Sequence, residues 1–172
     1  GHVRYGTTGG TNRANTQPIV INHMKGKMAL AHNGNLSNAL ALRTQLELGG
    51  ALFHGTSDTE IIAYIVAQQR LKTPSIEMAV RNAMDVLEGA YSVVLMSAAK
   101  LIAFRDMRGF RPLCMGSLPD GGTVFASESC ALTAVGATFL RDLEPGEIVT
   151  VDEAGLHSDR TPCGKASRTM CI

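Results

Sequence analysis

Three short stretches carry side chains that could grip one small polar molecule from different sides. The first is GHVRYGTTGG at residues 1–10, where Arg4 presents a planar fork of donors and Gly6-Thr7-Thr8-Gly9-Gly10 adds hydroxyls and freely oriented backbone N–H groups. A carboxylate or phosphate is the natural ligand of such a loop; a surface arginine meeting solvent or a neighbouring acid is the plain alternative. The second is AHNGNLSN, where a strand is expected to run out at His32 and Asn33-Gly34 to lead straight into a helix. Asn-Gly between two strands would be a hairpin turn, and a helical second flank removes that explanation. A side-chain amide (Asn33) beside a glycine N–H (Gly34) supplies two convergent donors, as an oxyanion hole requires. The alternative is that Asn33 or Asn35 merely caps the helix. The third is Ser57-Asp58-Thr59-Glu60. The helix dipole explains an acid in a first turn without any function. With Glu60 occupied in a capping box, however, Asp58 is the carboxylate left to bind an ammonium.

An arginine for a carboxylate, an aspartate for an ammonium and two donors for a developing oxyanion together describe hydrolysis or transfer of an amino-acid side-chain amide. Its nucleophile is missing: the chain offers no G-x-S-x-G elbow and no H-E-x-x-H. His2, His23, His32, His54 and His157 are scattered and read as core or surface residues. Cys114 and Cys130 sit among apolar or small residues and read as inert core thiols, whereas Cys163 and Cys171 fall in a polar tail. No cysteines form a C-x-x-C pair, so a reducing compartment is expected rather than a disulfide framework.

The elements that must position these groups are legible from periodicity. PIVIN, KMALAH, YSVVLMS, KLIAF, PLCMG, TVFAS and EIVTVD read as strands. SLPDGG and EPGE read as tight turns, so the strands they join are expected to pair antiparallel. A helical face begins with Leu36, Ala39, Leu40 and Leu46 and closes at Gly49-Gly50. A second helix starts at the Ser57/Glu60 capping box and continues through IIAYIVAQQRL. A third opens at Thr73-Pro74, with Pro at its first position, and carries the stripe Ile76, Val80, Ala83, Met84 and Leu87 before Gly89. A shorter helix follows ESCAL. Helices crowd the front half and strands the back, which argues α+β with helices packed on antiparallel sheet. After about residue 156 the hydrophobic pattern fades, so a domain is expected over 1–155 and a linker over 156–172.

The 172 residues suffice for one ordinary domain, and 45% apolar with 18% charged content is that of a soluble globular chain. Sixteen basic against fifteen acidic side chains create no whole-protein field, so neither nucleic acid nor an anionic membrane is expected as a partner. The longest apolar stretches, such as AYSVVLMSAA, fall short of the roughly 18–20 residues of a spanning helix. The first residues carry no signal-peptide pattern, and a cytoplasmic location is expected.

GHVRYGTTG, LAHNGNLSNA, GTSDTEI, EGAYSVVL, FRDMRGFRPL, FASESCAL and RDLEPGEIV occur in this order and closely resemble the glutaminase domain of the amidophosphoribosyltransferase family, over about residues 1–153. Other class II amidotransferases share the arginine loop and the H-N-G turn. FRDMRGFRPL and FASESCAL, however, look like the purine enzyme rather than glucosamine-6-phosphate synthase or asparagine synthetase. The resemblance implies an N-terminal-nucleophile hydrolase fold, an αββα sandwich of two antiparallel sheets between helical layers. It implies that Arg4, helped by Thr7, binds the α-carboxylate of glutamine, that Asp58 takes its α-amino group, and that Asn33 and Gly34 form the oxyanion hole. It also implies a catalytic cysteine at the mature N-terminus, whose α-amino group serves as base, and a phosphoribosyltransferase domain binding phosphoribosyl pyrophosphate and Mg2+. Neither is present here, so the chain reads as an inactive fragment of a homo-oligomeric enzyme, with sheet edges and an apolar face left open. RTMCI resembles the position of a [4Fe–4S] ligand in some family members, which makes Cys171 a candidate ligand, with an incidental thiol as the alternative. Cys163 matches no family ligand. A non-catalytic amino-acid sensor of the same fold is the rival from another class, and catalysis by Cys114 or Cys130 a weaker one.

Overall fold

The computed structural model describes His2 and residues 13–164. The chain runs β1 (Ile19–His23), β2 (Gly26–Leu36), α1 (Ala39–Leu48), α2 (Asp58–Lys72), α3 (Ile76–Met84), β3 (Gly89–Ser97), β4 (Leu101–Arg105), β5 (Cys114–Ser117), β6 (Thr123–Ala126), α4 (Ser129–Ala134), β7 (Thr138–Asp142), β8 (Ile148–Asp152) and β9 (Gly155–Asp159). One sheet has the strand order β1-β2-β3-β4-β8-β9, the other β6-β5-β7, and every pairing is antiparallel.

Side chains alternate along each strand, and that alternation sorts the core into layers. Tyr91, Val93 and Leu95 of β3 join Leu30, Ile102, Phe104 and Ile148 beneath α1, α2 and α3. The intervening Val94, with Ala103 and Val149, instead meets Met115 and Phe125 of the second sheet and Leu113 and Leu143, which flank its strands β5 and β7. The outer face of that sheet, through Cys114, Val124 and Ala126, packs on Leu132 of α4. Helices, sheet, sheet and helix follow one another, which is the expected αββα sandwich.

All seven expected strands form, and β7 and β9 are additional. TFLRD has exposed side chains at four of five positions and GLHSD likewise, so neither shows the half-buried alternation that identifies a strand. Strand β9 carries the large sheet past residue 155, where a linker was expected to begin. The EPGE turn forms, with Glu147 N–H donating to Glu144 O and Gly146 at φ +82°, but it joins β7 in one sheet to β8 in the other. The antiparallel pairing expected across it does not occur.

The helices also depart from expectation at their ends. Helix α1 begins at Ala39 rather than Leu36, because β2 stays paired to β3 as far as Leu36, opposite Gly89. Leu40 is 80% exposed, and Leu42 with Leu46 supplies the buried face. Ser75, not Thr73, caps α3 by accepting from Met78 N–H, which leaves Pro74 ahead of the helix rather than at its first position. That helix ends at Met84, and Gly89 opens β3.

FRDMRGFRPL is held from within. The Arg105 guanidinium donates to the carbonyls of Gly109, Arg111 and Leu143, and the Asp106 carboxylate accepts from the N–H groups of Tyr91, Arg108 and Phe110. These bonds fix the crossing from the first sheet to the second.

Candidate active site

Asn33 and Gly34 lie inside β2, not at a strand end leading into a helix: they pair with Ser92 and Tyr91. Neither Asn33 nor Asn35 caps α1. That position belongs to Asn38, whose amide instead bridges Val86 O and Glu88 N–H. The backbone at Gly34 has φ +138°, and an added Cβ would stand 2.0 Å from Ala90 O. Only glycine permits β2 and β3 to approach so closely there.

The Asn33 side chain points between the sheets, where its Nδ2 lies 3.4 Å from Ser127 Oγ. A cleft of about 480 Å³ opens at this place, lined among others by Gln17, His32, Asn33, Ser92, Phe125 and Ser127. Gly34 and Asp58 are not on its described wall.

Asp58 lies on the helix side of β2, beside the part of that strand that no described strand covers on its β1 edge. Strand β1 covers β2 only as far as Leu30. Beyond it, side chains take backbone N–H groups that a strand would otherwise satisfy. His32 N–H donates to Gln17 Oε1 at 2.6 Å, and Leu36 N–H to Asp58 Oδ2 at 2.9 Å. Asp58 is 5% exposed, with His32 Nδ1 3.5 Å from its Oδ1. Burial pushes its carboxyl up, but the hydrogen bond with His32 and the Leu36 and Thr59 N–H groups outweigh burial and hold it below the usual carboxylate range. Asp58 is therefore an anion already surrounded by donors.

The capping box does not close. Ser57 Oγ accepts from Thr59 N–H, but the Glu60 carboxylate turns to the N–H groups of His54 and Gly55, both at 2.9 Å. Ser57 N–H goes to Asn15 Oδ1 instead. Glu60 is committed to the backbone at His54 and Gly55, not to the capping box that was expected to occupy it.

The structure thus brings Asn33, Gly34 and Asp58 to one stretch of β2, with Asn33 facing the inter-sheet cleft and Asp58 the helical layer. Arg4, Thr7 and Cys171 lie outside the described residues. His32, Gln17 and Thr59, which periodicity did not single out, form the buried polar link between cleft and Asp58. A signal existed for His32: in KMALAH it falls on the same face as Met28 and Leu30, a polar residue at a core position.

The described thiols differ from one another. Cys114 is buried, donates to Ala126 O, and is pushed up by burial and then by Asp142 and Glu128, so it carries little thiolate. Cys130, expected in the core, is exposed on the first turn of α4, which buries Leu132 instead. Brief alkylation of the folded protein at pH 8, read by peptide mass spectrometry, is expected to modify Cys130 and spare Cys114. Equal labelling of both would contradict this packing. Among the described residues no three His, Cys, Asp or Glu side chains form a group that could hold a metal ion.

The profile of the glutamine amidotransferase domain family matches residues 4–134. A chloroplastic amidophosphoribosyltransferase of Vigna aconitifolia is 46% identical over 158 residues, covering 92% of this chain and 32% of that protein. The glutamine phosphoribosylpyrophosphate amidotransferase of B. subtilis, solved with ADP and GMP, superposes with a TM-score of 0.83 at 40% identity, over 92% of this chain and 33% of that one. A structure described as the allosteric regulatory enzyme of purine biosynthesis gives 0.89 at 40% identity, over 99% of this chain and 36% of that one. The chain spans about a third of the length of these relatives. By a profile match over most of its length and by its sandwich fold, the chain belongs to the glutamine amidotransferase domain family and resembles the amidophosphoribosyltransferases within it.

Proposed function

We propose that this chain is the glutamine-binding, ammonia-releasing part of an amidophosphoribosyltransferase, which passes ammonia to phosphoribosyl pyrophosphate to give 5-phosphoribosylamine in the first committed step of purine synthesis. The observation that carries the reading is that Asp58, at the start of α2, bonds Leu36 N–H of the same strand that holds Asn33-Gly34, within a chain similar to these enzymes. In this reading Arg4 and Thr7 take the substrate carboxylate and Asp58 its ammonium. The amide of Asn33 and the N–H of Gly34 stabilise the oxyanion that forms when the glutamine carbonyl is attacked. Neither of the thiols in the folded sheets and helices suits a nucleophile: Cys114 is buried, and Cys130 projects from α4 into solvent; beyond β9, burial and then Glu144 push the Cys163 thiol up.

The reading also covers partners that geometry leaves open. Glutamine and phosphoribosyl pyrophosphate are the proposed substrates, in a cytoplasmic homo-oligomer, with Mg2+ serving the phosphoribosyl step. A [4Fe–4S] cluster at Cys171 would need three further thiolates, which the described cysteines do not supply in one group.

The test is glutamate release by the full-length gene product. Asp58→Asn and Arg4→Ala are each expected to raise the KM for glutamine by about tenfold or more, because each leaves one pole of the zwitterion unpaired. Asn33→Ala is expected to lower kcat about 100-fold with KM nearly constant, the signature of a donor used in the transition state. Unchanged KM in both charge variants would remove the zwitterion site. Glutamine binding without glutamate release would favour the sensor.

A further inference from the structure

We infer that His32 is a positioning residue for glutamine binding: it keeps its proton on Nδ1 and donates it toward Asp58, fixing the carboxylate that receives the substrate ammonium. The inference rests on the proposed role of Asp58. It comes from how a buried network must share its protons. Asp58, as a carboxylate, only accepts. His32 Nδ1 has two neighbours, Asp58 Oδ1 at 3.5 Å and Thr59 Oγ1 at 3.4 Å. Thr59 Oγ1 receives Gln17 Nε2–H at 2.9 Å and Ser57 Oγ–H at 3.0 Å. A proton on Nδ1 is the arrangement that lets the imidazole bond the carboxylate, which has no proton of its own to give.

The other ring nitrogen supports the same arrangement. His32 Nε2 is buried without a hydrogen-bond partner among the described residues. With the proton on Nδ1, Nε2 is a bare acceptor; with the opposite tautomer it would be an unpaired N–H, which folded proteins rarely bury. Gln17 braces the imidazole from behind, accepting His32 N–H at 2.6 Å while donating to Thr59. His32 does not meet the reacting amide in this scheme. It acts through Asp58, holding one carboxylate oxygen while Leu36 N–H holds the other.

The first measurement needs no variant. Ring-nitrogen NMR of the 15N-histidine-labelled full-length protein is expected to show His32 protonated at Nδ1, and a bare Nδ1 overturns the inference. The second is a comparison of glutamine kinetics. His32→Leu is expected to raise KM about 10- to 100-fold, the worth of one hydrogen bond to a charged group, with kcat within about threefold. His32→Asn, which can place an N–H near the Nδ1 position, is expected to recover most of the loss. Combining His32→Leu with Asp58→Asn is expected to add little to Asp58→Asn alone, because both remove the same interaction. An unchanged KM in His32→Leu beside a raised KM in Asp58→Asn overturns the role of His32 and leaves that of Asp58 intact. An unchanged KM in Asp58→Asn removes both. Should His32→Leu not fold, the wild-type tautomer and His32→Asn decide.

Discussion

Gly34→Ala is expected to cost the protein most of its stability, whereas Gly26→Ala, at a similar backbone angle, is expected to cost little more than strain. Both glycines have strongly positive φ, +138° at Gly34 and +121° at Gly26. A side chain is strained at either, by about 1–3 kcal/mol. The surroundings differ. A Cβ at Gly26 meets nothing within 4 Å, but one at Gly34 stands 2.0 Å from Ala90 O and 2.8 Å from Ala90 C. Those are backbone atoms of β3 and cannot rotate aside, so β2 and β3 must part there. In a domain whose total stability is of order 5–15 kcal/mol, breaking that pairing is a major loss. At about 2–4 °C per kcal/mol for a chain of this size, Gly26→Ala is expected to lower Tm by roughly 2–12 °C, and Gly34→Ala by more than about 15 °C or to yield insoluble protein. Equal shifts in calorimetry would show that the close approach of β3 does not constrain Gly34. Because Asn33 is exposed and its side chain bonds Ser127 alone among the described residues, the proposed oxyanion hole is better tested at Asn33, where a lost rate is not confounded by lost fold.

The sandwich was legible in the sequence because its central strands bury both faces. Leu101 to Phe104, Ile148 and Val149 form short apolar runs bounded by turn residues, and these runs require no knowledge of their partners. Asp58 was legible as a leftover carboxylate because its helix start carries a local signature. What stayed hidden depends on long-range neighbours. The continuation of β2 through Asn33 and Gly34 is imposed by β3, more than fifty residues later in the chain, and no local propensity of Asn-Gly favours it. His32 was read as one scattered histidine because its meaning comes from α2 and from Gln17. Strands β7 and β9 are edge strands with exposed side chains, and only their backbone pairing and the groups at their ends identify them.

Those two edge strands converge on Glu147, the second residue whose replacement should have a large effect. Glu147 is fully buried at the end of the EPGE turn. Its carboxylate accepts both Arg141 N–H groups at 2.7 Å from β7, Ser158 Oγ–H at 2.6 Å from β9 and Glu144 N–H at 2.7 Å, with Arg160 Nε 3.5 Å away. Burial alone would raise its pKa, but these donors, Arg141 first, bring it down to about 2. An ordinary glutamate titrates near 4.5, so the folded state holds the ionised form more tightly than the unfolded chain does. Its contribution is therefore complete above about pH 5 and lost as the pH falls from about 4.5 toward 2; a shift of this size corresponds to about 3 kcal/mol. Glu147→Gln keeps the shape but removes the charge and points an N–H at groups that already donate. It is expected to destabilise by about 3–5 kcal/mol at pH 7. Asp58, Glu77 and Asp159 are also held below their ordinary values, so acid unfolding of the wild type is composite. The difference between wild type and variant isolates Glu147: it should be largest at neutral pH and shrink through pH 4.5 to 2 in denaturant titrations. A difference that stays constant across that range would mean that Glu147 acts through shape and packing, and that the charge is not what joins β7 and β9 to the turn.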